Sequence, residues 1–140
     1  MIVYDLCHIT RRNGDSLFLE PLFLGFYSSY ERVQSAIQHY VTQPGFRDDA
    51  KGFSIRRREV CGRVVDSTVY EAIVYFHSED YELEYVIEKG LFGDEATARA
   101  VLDVYAEDNR EMSVDPELVR EDMVIRRSLN KREWEEGFVF

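Results

Sequence analysis

Ile2 to Thr10 is an apolar run interrupted by Asp5 and His8, and it reads as a strand. A polar stretch, Arg11-Arg12-Asn13-Gly14-Asp15-Ser16, follows, and Leu17 to Phe26 is again apolar. Asn-Gly at the centre of that stretch suits a tight reversal, so the two segments predict a hairpin. Pro21 lacks a backbone donor and belongs at a bulge or on a side of the return strand without a ladder partner. The period then changes. Val33, Ala36, Ile37, Tyr40 and Val41 recur at spacings of three and four, one face of a helix. Ser28 and Glu31 are spaced as a capping box at its start, and Gln43-Pro44-Gly45 stops it. Gly52 to Val60 is a third strand, with Phe53, Ile55 and Arg57 on one side.

The same order returns in the second half. Ser67 to His77 is a long strand, Ser78-Glu79-Asp80 a turn, and Tyr81 to Leu91 a returning strand. In that strand Tyr81, Leu83, Tyr85 and Ile87 are expected to face the core, against Glu82, Glu84, Val86 and Glu88. Asp94 can cap a second helix from Glu95 to about Asn109, whose stripe is Ala98, Val101, Leu102 and Tyr105. Asp115-Pro116 suits one short helical turn, Glu121 to Leu129 is a sixth strand, and Lys131 to Phe140 is a closing tail. Gly25 and Gly90, Ile37 and Leu102, and Tyr40 and Tyr105 are each 65 residues apart, and Ile55-Arg56-Arg57 precedes Ile125-Arg126-Arg127 by 70. These offsets predict an internal duplication. The expected fold is a single α+β domain spanning 1–140: an antiparallel sheet of about six strands built from two pseudo-repeated ββαβ units, 1–62 and 67–130, with 131–140 as tail. Both helices are expected on one face. The other face is expected to be partly open, for binding or self-association.

Composition narrows the class. A chain of 140 residues, 45% of them hydrophobic, can bury a real core and has no linker-like tract. Met1 to Thr10 carries Asp5 and His8 and lacks the pattern of a secretory signal, and no apolar run approaches the roughly 18 residues of a spanning helix. A soluble cytoplasmic protein without a membrane partner is the expectation. Cys7 and Cys61 have no metal-like spacing and are expected to be buried or half-buried free thiols, although a disulfide between them is geometrically conceivable. The net charge of -10 is unevenly spread: residues 1–65 hold nine basic and seven acidic groups, net +2, and residues 66–140 hold eight and twenty, net -12. An acidic field repels phosphate backbones, which points away from nucleic acid and toward a basic protein partner.

The run Leu24-Gly25-Phe26-Tyr27-Ser28-Ser29, a helix, Pro44-Gly45-Phe46-Arg47 and then Gly52-Phe53-Ser54-Ile55 resembles a small bacterial domain family of uncharacterised function. Its members typically close with Trp-x-x-Gly-Phe, and Trp134-Glu135-Glu136-Gly137-Phe138 is similar to that ending. In the family the ending follows the third strand directly, whereas here a second unit intervenes. The resemblance implies strands with a helix on one face, and no catalytic residue.

Candidate chemistry is sparse. His8, His39 and His77 lack partners at ligand spacing and are expected to be structural or on the surface, so neither a metal nor a cofactor is expected. No nucleophile elbow or Gly-rich phosphate loop is present, and no catalytic residue is assigned. Arg56, Arg57 and Arg58, with Arg126 and Arg127 in the second unit, pair with neighbouring carboxylates or, alternatively, recognise an acidic group by bidentate contacts. The strongest candidate surface is acidic: Glu79, Asp80, Glu82, Glu84 and Glu88, with Asp103, Glu107 and Asp108 on the second helix. It is expected to bind a basic protein. The function expected is therefore that of a non-enzymatic bacterial binding protein, most specifically an immunity-type inhibitor covering a toxin's basic surface. The alternative is a small-ligand-binding or regulatory module using Arg56, Arg57, Arg126 and Arg127.

Overall fold

The computed structural model describes residues 1–11, 19–108 and 118–134, and the backbone alone at 10, 11, 19, 20 and 108. In chain order the elements are β1 (Ile2–Arg11), β2 (Leu19–Tyr27), α1 (Tyr30–Tyr40), a 3-10 turn (Arg47–Asp49), β3 (Phe53–Cys61), β4 (Thr68–His77), β5 (Glu84–Phe92), α2 (Glu95–Asp108) and β6 (Val119–Ser128). The fold is α+β, with a six-stranded sheet in the order β2-β1-β3-β5-β4-β6. The chain divides into two compact units, one of Ile2–Arg58 with Ser128–Phe140, the other of Glu59–Arg127 with Met1. The expected turns at Asn13-Gly14 and Asp115-Pro116, and the end of the tail, lie outside the described residues.

In the first unit β1 is central and β2 pairs with it antiparallel, Tyr4 opposite Tyr27 and Ile9 opposite Pro21. Ile9 donates its N–H away from β2, to the Gly52 carbonyl at 2.8 Å. Ile9 and Pro21 therefore form a non-hydrogen-bonded pair, and the donor that Pro21 lacks would have faced the outer side of an edge strand. The register slips where Gly25 faces Leu6 and Phe23 faces Cys7, leaving Leu24 as the extra residue of a bulge. Gly25 has a φ of 121°, and a Cβ there would meet the Lys131 carbonyl at 2.5 Å. Leu6, Leu24, Tyr27 and Phe46 make the core with Val33, Ala36 and Tyr40, the predicted face of α1.

The cap of α1 is Ser29, not Ser28. Ser29 is extended and its Oγ accepts from the Arg32 N–H at 3.2 Å. Ser28 instead donates its N–H and hydroxyl to Asn130 Oδ1, at 2.9 and 3.1 Å. Two adjacent serines both suit a cap locally, and a partner about a hundred residues away decides between them.

In the second unit β4 is the central strand. β5 pairs with it antiparallel, and the register slips where Gly90 faces Ala72 and Glu88 faces Ile73, with Lys89 the extra residue. Gly90 has a φ of 138°. Ala98 and Leu102 of α2 pack on Ala72, Val74, Phe76 and Phe92, and Asp94 caps the helix by accepting from the Thr97 N–H at 2.8 Å. That bond and one from the Thr97 hydroxyl hold the Asp94 carboxyl below the usual range. Glu121 lies beside His77 and Arg127 beside Glu71, so β6 runs antiparallel to β4.

Two expectations are corrected. The sheet is mixed, because Val60 and Cys61 of β3 pair in parallel with Leu91 and Phe92 of β5. Turn residues specify pairing between strands adjacent in the chain, and β3 and β5 are not adjacent. On the side of the central strands away from the helices Val3 and Asp5 of β1, and Val69, Glu71 and Ile73 of β4, are buried, while Ile9 is exposed. Finally, β5 begins at Glu84, three residues later than the alternation predicts, and Tyr81, Leu83 and Tyr85 are exposed.

Candidate protein-binding site

The late start of β5 follows from the turn before it. Ser78 and Leu83 close a loop through a 2.9 Å backbone bond, Tyr81 donates its N–H to the Ser78 carbonyl, and Tyr81 has a left-handed φ of 59°. The Asp80 carboxylate accepts from the Ser78 hydroxyl at 2.6 Å and the Glu82 N–H at 3.1 Å. These bonds hold the Asp80 carboxyl below its ordinary range, the Ser78 hydroxyl contributing most. An Asx-type turn thus replaces the first residues of the expected strand, and alternation stops governing which side chains are covered.

The result is an ordered, amphipathic hairpin end. Glu79, Asp80, Glu82, Glu84 and Glu88 are exposed there. Between them stand Tyr81, Leu83, Tyr85 and Val86, which are 57, 63, 47 and 50% exposed. The aromatic rings are fixed by their neighbours: Tyr81 stacks on His77 at 4.4 Å, His77 on Tyr75 at 5.1 Å, and Tyr85 on Phe76 at 4.8 Å. His77 Nδ1 donates to the Ser78 carbonyl, since a carbonyl only accepts. Its other ring nitrogen lies 3.7 Å from Glu121. The Tyr75 hydroxyl donates to Glu84, and that bond, with partial desolvation and the Glu84 charge, pushes its pKa up to about 12.

Asp103 and Glu107 are exposed one turn apart on α2, and the Asp108 side chain lies outside the described residues. The five strand and turn carboxylates lie along one exposed run, with Tyr81, Leu83 and Tyr85, which alternation assigns to the core, and Val86, which it does not, exposed among them. The serine and aspartate at 78 and 80 carry the signal that could have revealed them.

The arginines have a different setting. Arg56 lies 2.8 Å from the buried Asp5 carboxylate and Arg58, only 11% exposed in its side chain, 3.8 Å from it. Arg127 lies 3.7 Å from the buried Glu71. Arg57 and Arg126 are exposed. In each unit a buried carboxylate on the central strand is thus neutralised by an arginine of the flanking strand, which offsets the cost of burying its charge. Asp5 and Glu71 stand in otherwise apolar strands, which is the signal that marks them.

His8 is fully buried between Phe46 and Phe53 and donates Nε2 to the Asp49 carbonyl at 2.8 Å, a core role. Cys7 and Cys61 are both thiols, not joined in a disulfide, and Cys61 is exposed rather than buried, since it ends β3 on the outward side of buried Val60. Among the described residues no three His, Cys, Asp or Glu group as metal ligands, and no helix is long and apolar enough to cross a membrane. Comparison of the chain with protein-family models, with curated proteins and with solved structures returned no match.

Proposed function

We infer that this chain is a protein-binding protein whose β4–β5 hairpin end docks a basic partner, and most specifically an immunity-type inhibitor that covers the basic surface of a bacterial toxin domain in the cytoplasm. The observation that carries the reading is the run Glu79 to Val86, in which exposed carboxylates alternate with exposed, ring-stacked aromatic residues. Tyrosine supplies large contact area at low entropic cost, and preordered rings reduce that cost further. The surrounding carboxylates steer a cationic partner and disfavour anionic ones.

The same reading takes the two units as copies of one ancestral ββαβ module related to the bacterial family that residues 24–55 resemble. The glycine bulges at Gly25 and Gly90, and the buried acids Asp5 and Glu71 with their arginines, support common descent.

The test is affinity capture from the native host with wild-type chain, a Glu82→Ala, Glu84→Ala, Glu88→Ala variant and a Tyr81→Ala, Tyr85→Ala variant. A basic protein whose capture both variants reduce, and whose toxicity the wild-type chain suppresses, supports the reading. Equal capture of every protein by all three chains refutes it.

A further inference from the structure

The first unit holds a pocket unrelated to the acidic hairpin. It lies along α1, has a volume of about 360 Å³, and is lined by Tyr27, Arg32, Ser35, Ala36, Asn130 and Arg132. Among the described residues no carboxylate lines it, although acidic residues outnumber basic ones in the chain by ten. Its polar side chains are two guanidinium groups, a hydroxyl, an amide, and a phenol whose hydrogen already goes to the Leu24 carbonyl at 2.7 Å.

The amide is oriented by the fold. Asn130 has a left-handed φ of 62°, and its backbone N–H donates to the Phe26 carbonyl at 2.7 Å. Its Oδ1 accepts from both the N–H and the hydroxyl of Ser28. A backbone N–H can only donate, so the Oδ1 and Nδ2 positions are fixed, and the two Nδ2 hydrogens are left for the pocket. Arg32 and Ser35 sit one helical turn apart on α1 and present the guanidinium and hydroxyl on the same wall. Arg32 belongs to the first turn of the helix, where the dipole also favours negative charge.

We propose that this pocket is a binding site for an oxyanion, a phosphate or carboxylate group carried by a small organic molecule, with Arg32, Ser35 and the Asn130 amide donating to it. Arg132 adds a second positive charge. Planar guanidinium donors match the oxygen pairs of either group. The Tyr27 ring and Ala36 give the organic part an apolar wall, and the volume exceeds what a bare ion needs.

The full chain, labelled with ¹⁵N, is titrated with inorganic phosphate, with acetate, and with chloride at matched ionic strength. Saturable amide shifts confined to residues 28–36 and 130–132, with either oxyanion and absent with chloride, are expected; which oxyanion produces them identifies the group. Arg32→Gln should weaken binding roughly tenfold or more, the value of a charge-assisted hydrogen bond. Asn130→Asp keeps an acceptor for Ser28 while replacing the amide donors by a negative oxygen, and should abolish binding in a chain that retains its dispersed spectrum. Shifts with both oxyanions no different from those with chloride overturn the proposal, as does wild-type affinity in Asn130→Asp. If Asn130→Asp fails to fold, Arg32→Gln, on an exposed residue, carries the same decision.

Discussion

At the scale of single residues, the two bulge glycines share a backbone conformation but not an environment. A Cβ at Gly25 would fall 2.5 Å from the Lys131 carbonyl, which is backbone and cannot swing aside, whereas one at Gly90 would meet only the Phe92 ring at 3.1 Å. Gly25→Ala is therefore expected to destabilise the protein at or above the top of the ~1–3 kcal/mol range for backbone strain, and Gly90→Ala nearer its lower end. Urea unfolding of the two variants measures the difference. Asp5→Ala leaves Arg56 and Arg58 without their shared carboxylate. Arg56 is half in water and loses little, and Arg58 loses an ion pair at 3.8 Å, so the expected cost is about 1–2 kcal/mol, read from the same experiment. Tyr75 gives a pH signature. Its raised pKa means that the hydroxyl-to-Glu84 bond stabilises the folded state fully below the ordinary tyrosine value and ceases to do so as pH rises through about 12. Ultraviolet titration should find a late-ionising tyrosine that Tyr75→Phe removes.

At the scale of elements, the helices were legible because their period is local. Val33, Ala36 and Tyr40 on α1, and Ala98 and Leu102 on α2, occupy the faces that their spacing predicts. The helix starts differ in how far local chemistry decides them. Asp94 is the one capping residue at its helix start and serves as the sequence implies; at α1 two serines compete and Asn130 takes the first. Ser29→Ala is expected to cost about 1 kcal/mol in denaturant unfolding, the value of a lost cap. The depressed Asp94 carboxyl stabilises α2 above the ordinary aspartate pKa, and that contribution disappears as acid takes the pH through the lower folded value. Asp94→Asn, which still accepts a hydrogen bond, should flatten this part of the pH dependence of the thermal midpoint. The hairpin end was misread for a complementary reason: alternation of Tyr81, Leu83 and Tyr85 looks like a strand, but the hydrogen bonds of Ser78 and Asp80 had already bent the backbone into a turn.

At the scale of the whole molecule, the charge is the dominant long-range property. With a net charge of -10 concentrated in residues 66–140, encounter with a basic partner should be electrostatically steered. Raising ionic strength from about 0.05 to about 0.3 M is expected to slow association roughly tenfold with little change in dissociation, measured with the captured partner by stopped-flow fluorescence. Glu82→Ala, Glu84→Ala, Glu88→Ala should reduce the salt dependence itself, and an unchanged dependence would place the docking surface elsewhere. The arginines answer to the opposite rule. Arg56 and Arg127 each meet a buried carboxylate, the carboxylate pairing that the sequence offers beside recognition of an acidic group.

What the sequence determined by itself is the succession of six strands and two helices, with the inward faces of the helices and the acidity of the second half. These depend on hydrophobic period and on composition, both carried by residues close together in the chain. The tertiary structure alone decided the parallel pairing of β3 with β5, the burial of Asp5 and Glu71 beside their arginines, the choice of Ser29 as cap, and the meeting of Arg32, Ser35 and Asn130 around one pocket. Each joins groups that are far apart in sequence or covers a surface from outside its own element, and no local pattern encodes a partner that arrives only when the chain has folded.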